Sequence, residues 1–554
     1  MKNKLKYLSI PLTILVLSFF VIQILVPEYH PFGGMKITKS KDEVLNNAIQ
    51  FLEKIDVQFD KNKLMVNLES NDNFIKWIET ENHLNKANKI LKENGLAFYW
   101  NVSQKSADNS NVTVSSNSAE AIRKGPISIE IESLDEGSII KFSQELNDSS
   151  ITDSLSINAA QKRTKDFIKI IRDDITLLDD STTSLKNVKP NIFYFDGSET
   201  IKKSNRVDYN FRWKTKNKNQ INYILKTTLV GNEIKSFEVE PIIPDEYNNS
   251  ETDVFELATT LVFVLLIIIA VLIVGFKRFR AYEIGFKHAV IFGIVVLVSF
   301  VLKELLDFFV NAQLTMIIGL AAGGIFIAGA GIILWAVSET VFREIWNDKY
   351  LSLDLLFHRK FFHSQIGRTI INSISFGFGL TALFLILLYL TSYYSILSFT
   401  GEGFVSQSHI TASLPLLNAF FSVFNSYAIL AVSFFMFLTA AIKRYISNDI
   451  IFIIVSGLVW GILIQCNIIP LTAGLPINFI IGISLSFILI KYDLLSTILS
   501  LLIFKYLIKV TEFSFLENSV LSNQWYILIA IFVVAILFSF ILIFRKDKFT
   551  DYDS

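Results

Sequence analysis

The chain has 554 residues, 51% of them hydrophobic and 13% aromatic, and its 51 basic and 51 acidic side chains cancel to a formal charge of zero. That balance offers no electrostatic footprint for nucleic acid, so none is expected as a partner. A single cysteine, Cys466, excludes an internal disulfide framework and any cysteine-based zinc cluster.

Mean hydropathy of +0.45 is high for a soluble protein and averages two different regions. Residues 1–27 open with Lys2, Lys4 and Lys6 and continue as an apolar run with no small-residue cleavage site after it, which predicts a retained membrane anchor. Residues 28–253 read as ordinary polar sequence. Ser40 is the expected N-cap of a helix that carries Val44, Ala48, Leu52 and Ile55 on one face. "AQKRTKDFIKIIRDDI" predicts a second amphipathic helix. Alternating stretches follow each helix: "ISIEIES" after the first, and "VDYNFRW", "INYILKTTLV" and "IKSFEVEPII" after the second, with Gly231-Asn232 as a hairpin turn. A duplicated helix-then-sheet unit is expected, with "LAFYWNV" and "DYNFRWK" in similar places and the polar stretch "SQKSADNSNVTVSSNSAE" as a linker.

From residue 254 apolar runs dominate, and with the anchor they predict about ten spans, near 7–27, 254–275, 286–303, 314–337, 369–391, 415–442, 450–466, 474–491, 493–510 and 524–544. Lys and Arg fall at alternate ends, as in Lys277, Arg278, Arg343, Lys443, Arg444, Lys491 and Arg545, while 392–414 and 467–473 have none. Positive charges resist translocation, so both termini, including the tail 546–554, are expected in the cytoplasm and 28–253 outside it. The fold class read from this pattern is a polytopic all-α membrane bundle with an inserted α+β extracytoplasmic domain. Residues 254–337 form a three-span bundle, and 369–545 a second bundle. Between them 338–368, "SETVFREIWNDKYLSLDLLFHRKFFHSQIGR", is expected to be one amphipathic helix on the cytoplasmic surface, with Leu351, Leu355 and Phe362 on its apolar face.

This order of anchor, outer domain, three spans, "SETVFREIWNDKYLSLDLL" and final bundle resembles the long bacterial members of the CPBP (CAAX-protease and bacteriocin-processing) intramembrane metalloproteases. The resemblance implies a bacterial cytoplasmic membrane and a site made of E-E-x-x-x-R, an aromatic-x-x-x-His and a later His. Setting Arg444 on the family's arginine puts Thr439 and Ala440 at the two glutamates, and Trp460 takes the aromatic position and Gly461 the glycine after it. Ile464 and Leu501 stand at the two histidines. Paired carboxylates and imidazoles hold a divalent metal or a water, and one carboxylate acts as base on that water. With those four positions non-ionisable, the expected function is that of a non-catalytic pseudoprotease, a membrane scaffold or adaptor for a peptide or membrane-protein partner, with no cofactor.

One alternative is an active CAAX-like metallopeptidase with a displaced site at Glu339, Arg343, His358 and His363, which would require zinc or another divalent ion. Spacing favours an i,i+4 ion pair of Glu339 with Arg343 and two interfacial histidines instead. His288 and His409 have no partner at ligand spacing. Lys303, Glu304 and Asp307 read as interfacial charges. A small-solute transporter is the second alternative; it would need midplane charges or broken helices in two matching halves, whereas the glycines of 319–331 read as close helix packing.

Overall fold

In hydrocarbon every backbone N–H and C=O must be satisfied within its own segment, so the apolar runs are helical. The computed structural model describes residues 2–105, 128–146, 154–178, 192–203, 206–216, 221–248, 254–308, 314–399, 408–463 and 468–545. The chain divides into two compact units, one of residues 1–34, 78–92 and 250–554, the other of 35–77 and 93–249. Residues 78–92 thus group with the apolar unit although they lie within the stretch read as the outer domain.

The second unit is built on one nine-stranded sheet. Its helices are α2 (Lys41–Lys54), α3 (Asp72–Glu81), α4 (Leu84–Asn94) and α5 (Ile157–Ile171), with α3 and α4 shared between the units. Ser40 caps α2 through a full capping box with Glu43, and Val44, Ala48 and Leu52 are its buried face. Its strands are β1 (Met65–Ser70), β2 (Phe98–Lys105), β3 (Ser128–Ser133), β4 (Ile139–Glu145), β5 (Thr176–Leu178), β6 (Ile192–Lys202), β7 (Val207–Lys214), β8 (Tyr223–Val230) and β9 (Glu233–Pro241), in spatial order β1-β2-β3-β4-β9-β8-β7-β6-β5.

Two antiparallel four-strand meanders, β1–β4 and β6–β9, meet through their last strands, and β5 adds to the edge parallel to β6. The two quoted stretches fall on β2 and β7, the second strand of each meander, and their Trp100 and Trp213 are both fully buried. Phe142 on central β4 packs edge-on against Phe51 of α2 at 5.7 Å and against Phe167 of α5 at 6.1 Å, so one ring joins both helices to the sheet. Gly231, at φ +60, makes the β8–β9 turn. The linker residues 106–120 lie outside the described residues.

The apolar unit contains α1 (Lys2–Tyr29), α6 (Val254–Arg280), α7 (Lys287–Phe308), α8 (Leu314–Trp346), α9 (Leu351–Phe357), α10 (Ser364–Ser392), α11 (Pro415–Val432), α12 (Thr439–Tyr445), α13 (Asp449–Leu463), α14 (Leu471–Lys491), α15 (Leu494–Val510) and α16 (Ser519–Phe544). A π-helical segment, Ser433–Leu438, joins α11 to α12. Among the described residues eight helices are long and apolar enough to cross a membrane, and the apolar α13 is shorter. The chain is therefore an integral multi-pass membrane protein. Central α10 packs on α1, α15 and α16; α7 packs on α8, and α13 on α14. Two two-residue strands, β10 (Ser398–Phe399) and β11 (Ile468–Ile469), pair antiparallel.

The single surface helix expected over 338–368 does not form. Residues 338–346 finish α8, a 3-10 turn follows at Asp348–Tyr350, and α9 ends at Phe357. Arg359 adopts φ +58, and the amides of Lys360 and Arg359 bond back to the carbonyls of Leu355 and Leu356, which is the Schellman closure of α9. Leu351 and Phe362 are exposed and Leu355 is buried, so they share no common face.

Candidate functional site

The helices that carry the family-like positions do meet. The segment 433–445 packs against both α13 and α15. Trp460 on α13 is fully buried, edge-on to Phe434 at 4.8 Å and against Phe435 at 5.3 Å, both on the π turn just before Thr439. Such turns are frequent at functional positions because they re-aim the side chains that follow.

Close approach of α13 and α14 comes from glycine. Gly457 and Gly461, four apart on α13, face α14, where a Cβ on Gly461 would lie 3.0 Å from the Phe479 amide nitrogen and one on Gly457 2.7 Å from Ile483. Gly482 answers from α14, its position for a Cβ lying 2.8 Å from the Gly457 carbonyl oxygen. Small residues at this spacing let two backbones touch in an apolar medium. Gly461→Leu should push the backbones apart and cost roughly 3 kcal/mol or more by overpacking. A lower melting temperature of the detergent-solubilised protein checks this; an unchanged melt refutes the contact.

Thr439, Ala440 and Leu501 are fully buried. The Thr439 hydroxyl donates to the Phe435 carbonyl at 2.7 Å, which occupies its one proton within its own helix. Ala440 and Leu501 have no donor atom, so these residues do not fit the divalent metal that the family resemblance implies. Ile464 lies outside the described residues. Arg444 is exposed, 3.8 Å from Glu344, which itself accepts from Arg278 at 2.7 Å; the arginine therefore joins a surface ion cluster.

The four residues of the displaced-site alternative separate into other roles. Glu339 and Arg343 form the expected i,i+4 pair at 2.9 Å. Arg343 also forks onto Asp354 and lies 3.9 Å over the Tyr350 ring, which ties the end of α8 to α9. Both Glu339 oxygens are taken, Oε1 by Arg343 and His288 and Oε2 by the Trp335 indole at 3.1 Å. That saturation leaves the carboxylate little capacity for a cation. His358 caps α9, its Nδ1 at 2.8 Å from the Asp354 carbonyl, and the Nδ1 of His363 accepts from the Gln365 amide at the start of α10.

His288 and His409, which have no partner at ligand spacing in the sequence, each gain one from far along the chain. His288 faces Glu339 at 2.9 Å and stacks on Phe357. His409, fully buried, faces Glu512 at 2.6 Å. Their partners are 51 and 103 residues away in sequence, beyond anything local spacing signals. Lys303 pairs with Glu304 at 3.0 Å. Comparison with protein-family models, curated proteins and solved structures returns no match.

Proposed function

We propose that the chain is a membrane scaffold of CPBP type, a pseudoprotease that binds a peptide or membrane-protein partner without hydrolysing it. The observation that carries this reading is the burial of Thr439, Ala440 and Leu501, non-ionisable residues where the resemblance asks for Glu, Glu and His, beside a tightly packed Trp460. Uncompensated Glu or His at bilayer depth is costly and is retained where it serves a function; once chemistry is lost, apolar packing replaces it at no cost. In the proposed topology ten spans leave both termini in the cytoplasm and place the nine-stranded sheet outside it, since Lys and Arg cluster at alternate helix ends. A scaffold of this kind would couple an outer sheet domain to a bundle that receives partners laterally from the bilayer.

The test is activity of the unaltered chain. Purified protein in lipid nanodiscs, supplied with zinc and a fluorogenic peptide library, is expected to release no product above a protein-free control. Metal-dependent cleavage that disappears in Glu339→Gln would overturn the reading and move the chemistry to the end of α8. Cleavage that survives that change would place it elsewhere and equally refute a pseudoprotease.

A further inference from the structure

A cavity of about 200 Å³ opens where α1, α10, α16 and the turn between α14 and α15 converge. Its polar wall is cationic. Arg368 and Asn372 lie one turn apart on α10, and Lys491 ends α14. None of the three has a hydrogen-bond or ion-pair partner among the described residues. Asn372 is 9% exposed, and it lines the cavity.

Asp493 is the acidic group in the lining, and it is engaged elsewhere. One oxygen accepts the Ser496 amide at 2.6 Å to cap α15, and the other accepts the hydroxyls of Ser352 and Thr369 at 3.1 Å each. Gln365 adds a longer contact to that oxygen at 3.4 Å. The carboxylate is thus held by hydroxyls and an amide, and no ion pair with Arg368 or Lys491 neutralises those cations. Lys349 fixes the adjoining turn by donating to the carbonyls of Ile490 and Tyr492.

The opposite wall is apolar: Leu8 of α1 and Ile543 of α16, which cluster with fully buried Ile371 and pack against Leu12 and Phe540. A guanidinium, an ammonium and an amide facing a greasy wall match a phosphate that carries hydrocarbon.

We propose that this cavity binds the phosphate group of an anionic molecule, and that the membrane supplies it as the headgroup of an anionic phospholipid. The forked guanidinium of Arg368 takes two phosphate oxygens, the Lys491 ammonium a third, and the Asn372 amide donates to the ester side. Leu8 and Ile543 then meet the first carbons of the acyl chains. This site is independent of whether the bundle has lost peptidase chemistry.

The experiment uses the full chain in detergent, titrated with dioleoylphosphatidylglycerol, with dioleoylphosphatidylcholine and with inorganic phosphate, with occupancy read by native mass spectrometry. Each basic contact is worth about fivefold, so Arg368→Gln with Lys491→Gln should weaken phosphatidylglycerol binding by about thirtyfold. Phosphatidylcholine binding should not change, and Lys360→Gln, at an exposed position outside the cavity, should leave both lipids unaffected. Lys491→Gln alone changes an exposed side chain and keeps the test open if the double variant fails to fold; about fivefold is expected. Inorganic phosphate binding that Arg368→Gln abolishes, with no preference for the anionic lipid, would overturn the lipid source and leave a solute phosphate site. Equal phosphatidylglycerol affinity in the wild type and both variants would overturn the proposal outright.

Discussion

His409→Leu is expected to destabilise the membrane unit by about 3–5 kcal/mol, while His409→Leu combined with Glu512→Leu recovers most of that loss. The two side chains are fully buried and 2.6 Å apart, and neither His409 Nδ1 nor Glu512 Oε2 has a partner among the described residues. Removing the imidazole strands the buried carboxyl of Glu512 with no compensating partner, and desolvation of that single group sets the cost. Removing both leaves two leucines beside Phe513, an exchange of a buried hydrogen-bonded pair for apolar packing that is often neutral or better. Unfolding of a two-unit membrane protein is not a simple two-state process, so the ranking of variants carries the result. Light-scattering melts in detergent should place His409→Leu roughly 10 °C below the wild type, with the double variant well above it. A double variant as unstable as the single one would mean that the pair is only packing, and the account from a stranded buried polar group would fail.

Elements whose signals are local were legible. The Ser40 cap, β7 to β9 with their glycine turn, and the apolar runs all depend on patterns within one segment, where side-chain period and capping chemistry act directly. The break at 358 was not. Three non-glycine residues, Asp56, Tyr282 and Arg359, hold the left-handed C′ position of Schellman closures, a place where a sequence ordinarily announces itself with glycine. With no glycine in "LLFHRKFF", periodicity ran the helix on, while the Arg343 to Asp354 fork turned the chain back.

Polar pairs were the least legible part of the candidate site. His288 with Glu339 and His409 with Glu512 join elements that only the packed bundle brings together, so a residue-by-residue search for ligand spacing passes over them. The family-like positions were the reverse case. Thr439, Ala440, Trp460 and Leu501 were selected by motif offset alone, and the segments that carry them lie in one packed region, although offset could not foresee the Gly457 and Gly461 contact that fixes α13 on α14.

Raising the pH from about 5 to 8.5 is expected to lower the stability of the unaltered chain through Glu79. This carboxyl sits fully buried on the last turn of α3, where Oε2 accepts the Phe399 amide at 2.7 Å and Oε1 has no partner among the described residues. Burial outweighs that hydrogen bond and pushes the carboxyl up from 4.5 to about 8. For an acid whose folded value lies above its unfolded value, the proton is held more tightly by the folded chain. The stabilisation is complete below pH 4.5, drains away as pH climbs toward 8, and is gone above it. The loss across that window is on the order of a few kcal/mol, since each unit of difference corresponds to about 1.4 kcal/mol. Glu79→Gln keeps the shape and removes the ionisation. The variant should melt with the wild type near pH 5, hold its melting temperature as pH rises, and exceed the wild type clearly at pH 8.5. Thermal melts of both proteins in one detergent at half-unit steps from pH 5 to 9 measure this. Parallel profiles for the two would show that Glu79 ionises in the folded chain as freely as in water and would overturn the account from its burial beside the Ser398–Phe399 strand.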